Sequence, residues 1–160
     1  MLCLKAEIEV SSSAGKRRIP LQEFYTGLGD TYRKLQPSEI VTRIFLPEST
    51  ADSRGVYRKL RIRGSIDYPL AGVAVVMKRS NGHIADARVA LTAVNPAPAL
   101  VKGASEALNG QEMNEILAEK IGDLAARTAK PLTTSALTPE YRREMIRVFT
   151  KRAVLAASMN

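Results

Sequence analysis

The sequence predicts an α+β fold in which a two-layer domain of antiparallel strands and helices follows a few strands that do not complete a domain of their own. Apolar and polar residues alternate with period two before Asn95-Pro96-Ala97-Pro98, and the apolar spacing turns helical after it. Asn81-Gly82 joins two long alternating runs, as a type I′ hairpin turn does. Strands followed by helices place the helices on one face of the sheet.

Each element has its own signal. Leu4, Ala6, Ile8 and Val10 alternate with Lys5, Glu7 and Glu9, the pattern of a half-buried strand over 4–10. Residues 11–15 turn the chain, 17–21 read as a second strand, and 21–25 as one helical turn. A third strand over 39–46 stops at Pro47, which cannot donate to a ladder. These strands bury too little to stand alone and are expected to belong to a larger unit, with the strand over 4–10 as an open edge. The polar stretch 48–54 marks the boundary, giving units 1–52 and 53–160. In the second unit a basic strand over 56–63 sets Val56, Arg58, Leu60 and Ile62 against Tyr57, Lys59, Arg61 and Arg63, and 71–79 pairs with 83–94. A short helix over 99–108 ends at Asn109-Gly110. Met113, Leu117, Ile121, Leu124 and Thr128 stripe a second helix, and Thr138-Pro139-Glu140 caps a third whose expected core is Tyr141, Met145, Val148, Phe149 and Leu155.

Composition narrows the chemistry. The 160 residues are 45% hydrophobic and 25% charged, and no apolar run reaches the ~18 residues of a membrane span. A cytoplasmic protein is expected. Cys3 and His83 are the single cysteine and histidine, too few soft ligands for zinc or an iron–sulfur cluster. His83 follows the hairpin turn and points to solvent rather than to catalysis. Gly27-Leu28-Gly29 lacks the third glycine and the Lys-Ser/Thr of phosphate loops, so it reads as a turn. The net charge of +8 suits an anionic partner or cofactor. Arg54, Arg58, Lys59, Arg61 and Arg63 form one basic cluster; Arg142, Arg143, Arg147, Lys151 and Arg152 form another, read as a solvated helix face.

From Ala6-Glu7-Ile8-Glu9-Val10 through Gly15-Lys16-Arg17-Arg18-Ile19-Pro20-Leu21, Phe24-Tyr25-Thr26-Gly27 and Glu39-Ile40-Val41-Thr42-Arg43-Ile44-Phe45-Leu46-Pro47, the chain resembles the last part of the second FAD-binding subdomain in the medium subunits of molybdenum hydroxylases. That family includes carbon monoxide dehydrogenase, xanthine dehydrogenase and aromatic acyl-CoA reductases. Residues 56–157 resemble the small C-terminal flavoprotein domain of carbon monoxide dehydrogenase type that follows, a three-stranded antiparallel sheet plus three helices.

The resemblance implies a part of an FAD-binding oxidoreductase subunit that relays electrons from iron–sulfur centres to an external acceptor. Glu39, Ile40 and Val41 match the strand beside the flavin, Lys59 a lysine near the isoalloxazine, and Asp67 and Tyr68 the loop over the ring edge. The molybdenum cofactor and iron–sulfur clusters belong to a large and a small partner subunit. The glycine-rich pyrophosphate-binding segments are not in this sequence. FAD is therefore expected to be shared with a missing N-terminal half, and the chain is not expected to be active alone. Two other readings stand beside it: a basic module for RNA or an acidic partner, and a subunit-docking domain without flavin contact. With three Phe, five Tyr and no Trp, stacking on nucleic acid is the weaker of these.

Overall fold

The structure, a computed structural model, describes residues 1–133 and 136–159. The architecture is α+β, in two antiparallel sheets. The first sheet holds β1 (Glu7–Ser12), β2 (Gly15–Pro20) and β3 (Ile40–Phe45) in the order β2-β1-β3. β1 is thus the central strand, not the open edge expected of it. The edges are β2 and β3, because 13–14 turn the chain back on one side and the return from α1 (Leu21–Phe24) brings β3 up on the other. Ile8, Val10 and Phe24 form a small core, flanked by Ile19, Leu21 and Leu35. On the opposite face Glu9 pairs with Lys16 and Arg43, and the Arg18 guanidinium stacks on Phe45.

The expected strand start at Leu4 is displaced. Leu2–Leu4 forms a 3-10 turn, closed by Lys5 in the left-handed region at φ 50°. This turn seats on the second sheet: the buried Cys3 thiol donates to the Ala74 carbonyl at 3.4 Å, and Arg88 donates to the Cys3 carbonyl at 2.7 Å while pairing with Asp86.

The second sheet has the order β4-β5-β6-β7, with β4 at Arg54–Leu60, β5 at Ala71–Ser80, β6 at His83–Thr92 and β7 at Ala99–Leu100. The hairpin forms at Asn81 and Gly82, both with positive φ, as their side chains permit. Alternation divides β5 cleanly: Ala71, Val73, Val75 and Met77 are buried on the helix side, while Gly72, Ala74 and Val76 face the other way. Cross-strand rows such as Val56, Val75 and Val89 carry the core through the sheet.

Helices α2 (Ala104–Leu108), α3 (Glu115–Thr128) and α4 (Pro139–Ser158) cover one face. The expected helix over 99–108 is shorter, because 99–100 pair with β6 and add a fourth, two-residue strand to the sheet. Asn114 caps α3 by accepting from the Leu117 amide, and Thr138 caps α4 by accepting from the Tyr141 amide. The stripe expected for α4 is rotated by about one position. Tyr141 is exposed and Met145, Val148, Phe149 and Leu155 are half-buried, whereas Arg142, Ile146, Thr150, Ala153, Val154 and Ala157 are buried. Small side chains let α4 approach α3, and at Gly122 an added Cβ would stand 2.9 Å from the Arg147 carbonyl oxygen. Arg142 is correspondingly not part of the solvated face on which sequence patterning placed it. That face does hold Arg147, paired with Glu144, and Lys151, paired with Glu115 and Glu119.

Candidate functional site

β4 is the edge strand of the second sheet. Val56 and Leu60 turn into the core, so Tyr57 and Lys59 project from the face that carries no helices. Lys59 lies opposite Gly72 and Tyr57 opposite Ala74. The Tyr57 ring leans diagonally across Gly72, whose missing side chain makes this possible. A Cβ there would lie 2.9 Å from the Tyr57 hydroxyl and 2.5 Å from Thr92 Oγ1. The result is an exposed aromatic plane laid on a floor of small residues. Lys59 is exposed and enters no ion pair or hydrogen bond among the described residues.

Residues 61–70 leave β4 as a closed loop. Its neck is held by the Leu70 amide donating to the Leu60 carbonyl at 2.9 Å. Asp67 organises the interior, one carboxylate oxygen accepting from the amides of Ile62 and Arg63 at 2.8 Å each. These bonds, that from Arg63 foremost, hold the Asp67 carboxyl below the usual range. Arg63 closes the loop by donating to the Ile66 carbonyl at 2.7 Å. Ile66 sits at φ 43°, and Ile66 and Tyr68 are 93% and 89% exposed. The Asp67 carboxylate is therefore occupied by its own loop, and the aromatic side chain that this loop presents is Tyr68.

Glu39, Ile40 and Val41 lie in the other sheet. The Glu39 carboxylate receives two bonds from the Arg17 guanidinium, 2.9 Å each, and one from the Gln36 amide at 2.8 Å. Arg17 and then Gln36 hold its pKa down to about 2, so it is a fixed anion that ties β2 to the start of β3. Ile40 and Val41 are exposed, beside a hollow of about 500 Å³ bordered by Tyr32, Arg33 and Leu35. Among the described residues no hydrogen bond or ion pair links this strand to Lys59 or Tyr68.

The expected residues thus form two groups: Lys59 with the Asp67–Tyr68 loop on one sheet, and Glu39–Val41 on the other. Tyr57 joins the first group. Its signal was present in the sequence, an aromatic two residues before a lysine in a strand and so on the same face. His83 is exposed beside Glu112 at the hairpin tip, away from both groups. Among the described residues no helix is long and apolar enough to cross a membrane.

Two antiparallel sheets, the second backed by helices on one face and carrying the exposed Tyr57 and Lys59 on the other, define an α+β fold. The chain belongs to the CO dehydrogenase flavoprotein C-terminal domain family, whose model matches residues 55–157, while residues 1–49 match the FAD binding domain in molybdopterin dehydrogenase. The carbon monoxide dehydrogenase medium chain of Afipia carboxidovorans is 30% identical over 96% of this chain and 52% of its own length. The nicotine 6-hydroxylase medium subunit of Paenarthrobacter nicotinovorans is 29% identical over 98% and 54%. The carbon monoxide dehydrogenase structure from Hydrogenophaga pseudoflava superposes with a TM-score of 0.87 at 29% identity, covering 98% of this chain and 53% of that one. The chain spans about half the length of the curated relatives it matches.

Proposed function

We propose that this chain lines one side of an FAD site in a medium subunit of molybdenum-hydroxylase type, with 1–52 as the end of an FAD-binding subdomain and 53–160 as the C-terminal flavoprotein domain. The observation that carries the reading is the face around Gly72. Its lack of a side chain lets the Tyr57 ring lean across it beside Lys59, which has no ion pair among the described residues, and a planar ring that gains negative charge on reduction fits such a surface. Bound FAD supplies two-electron acceptance and release.

The chain's own residues act around it. The Lys59 ammonium stabilises negative charge on the ring, an effect strengthened where the ring excludes water. Tyr57 and Tyr68 offer aromatic planes that orient the ring and cover its edge. Ile40 and Val41 give an apolar wall, held in place by the Arg17–Glu39 pair. In such an assembly, iron–sulfur centres on a small subunit would supply electrons from a molybdenum site on a large subunit, and an external acceptor would take them from the flavin. We place the assembly in the cytoplasm. A second segment supplies the pyrophosphate contacts, so this chain alone holds FAD weakly. The RNA reading draws less support, since Arg63 of the basic cluster is engaged with Ile66 and Asp67 of its own loop.

Gel filtration of the 160-residue chain mixed with FAD tests the last point. The protein peak is expected to emerge colourless, and a stoichiometric yellow peak would overturn the need for a second segment.

A further inference from the structure

The geometry points to Arg142 of α4 as a positioning residue for the loop that presents Tyr68. Arg142 is 5% exposed. Its Nε donates to the Leu70 carbonyl at 2.8 Å, one terminal nitrogen donates to the Leu132 carbonyl at 3.0 Å, and the other to the Ala93 carbonyl at 2.5 Å. One guanidinium thereby joins three segments: the exit of the 61–70 loop, the end of β6, where Ala93 is held at φ 65°, and the stretch leading into α4.

The chemistry requires arginine. A planar fork reaches three carbonyls in three directions, whereas an ammonium is a compact point charge whose donors all sit on one nitrogen. Desolvation of the buried cation lowers its pKa, as expected for a charge taken from water and compensated by carbonyl dipoles. The loop needs such an anchor. Its internal bonds, from the Ile62 and Arg63 amides to Asp67 and from Arg63 to Ile66, fix its shape but not its attachment to the domain. Attachment comes from the neck, where the Leu70 amide donates to Leu60 and the Leu70 carbonyl accepts from Arg142. Arg142 works at a distance from the site, by fixing the end from which Tyr68 is held out two residues earlier. The functional half of this inference rests on the flavin-facing reading of the loop.

Amide hydrogen exchange of the full chain tests it. In Arg142→Met, which keeps an apolar stem and removes the donors, exchange at Ile62, Arg63 and Leu70 is expected to rise at least tenfold, with Val75 and Val89 unchanged. Unchanged loop amides, or a rise shared equally by Val75 and Val89, would overturn the proposal. Should the variant not fold, native-state exchange of the wild-type chain decides: after correction for intrinsic rates, the Arg142 Nε proton and the Leu70 amide are expected to share one protection factor, and much lower protection at Nε would overturn the clamp. FAD titration of the chain complemented with the N-terminal half of a related medium chain separates the two layers. Weaker binding in both Arg142→Met and Tyr68→Ala supports positioning for flavin. Weakening in Tyr68→Ala alone overturns it, and a loosened loop with neither variant affecting FAD overturns the flavin reading while the clamp stands.

Discussion

Replacing Gly72 by alanine tests the packing of the candidate site directly. The new Cβ would lie 2.5 Å from Thr92 Oγ1 and 2.9 Å from the Tyr57 hydroxyl, both inside ordinary contact, so Thr92 must withdraw by about 0.9 Å and Tyr57 by about 0.5 Å. Overpacking of this kind costs about 1–3 kcal/mol, and loss of a strand glycine returns about 0.5–1 kcal/mol. The expected net is a loss of up to about 2.5 kcal/mol, at roughly 2–4 °C in Tm per kcal/mol for a chain of this size. The neighbours are side chains rather than backbone, so the clash is relievable. Thr92→Ala in the Gly72→Ala background is expected to restore at least half of the lost stability, read as a non-additive double-mutant cycle in urea melts. Tyr57 is also expected to move, seen as a shift of its ring resonances. A clearly stabilising Gly72→Ala, or a Thr92→Ala effect that simply adds, would refute the geometry assigned to this face.

Other consequences can be measured in the same chain. Ile146 is fully buried between α4 and the sheet, so Ile146→Ala is expected to cost about 2–5 kcal/mol in urea unfolding. Thr150 Oγ1 is buried with no partner among the described residues, and Thr150→Val is expected to stabilise by about 1 kcal/mol, a rise of roughly 2–4 °C in Tm. The folded pKa of Glu39, about 2, lies below its ordinary value of 4.5, so its contribution is complete above the unfolded pKa and is lost as pH falls from there through about 2; a carboxyl NMR titration checks the value, and Glu39→Gln should flatten that part of the stability profile. Burial, the largest influence, raises the Cys3 thiol from 9.0 to about 11, so the folded chain is expected to resist alkylation at pH 8 and react only when urea opens it.

Much of the architecture was legible because it rests on local signals. Asn81-Gly82 marks its hairpin, Thr138-Pro139 starts α4, and alternation along β5 and β6 shows which residues meet the helices. What stayed hidden depends on partners remote in sequence. Leu4 opens the alternating run yet ends a turn over Leu2–Leu4, where Ala74 and Arg88 bind Cys3 from the other sheet. The stripe of α4 was misplaced because large apolar residues drew it toward Tyr141 and Phe149, while α4 packs through Ala153 and Ala157 and buries an arginine. No periodicity reveals that Arg142 will meet three carbonyls brought together by tertiary structure. At the site, the candidates Lys59 and Tyr68 came from family resemblance; alternation already put Tyr57 on the Lys59 side of the strand, but its contact with Gly72 depends on the neighbouring strand.

The central claim is that this chain lines the ring side of an FAD site and needs a second segment to hold the phosphates. FAD titration by fluorescence quenching tests it, with the chain alone and mixed with the N-terminal half of the carbon monoxide dehydrogenase medium chain of Afipia carboxidovorans. Tight binding is expected only in the mixture, and Lys59→Ala and Tyr68→Ala are each expected to weaken it about tenfold, a loss of roughly 1.4 kcal/mol. Absence of binding in the mixture, or binding indifferent to both substitutions, would contradict the claim.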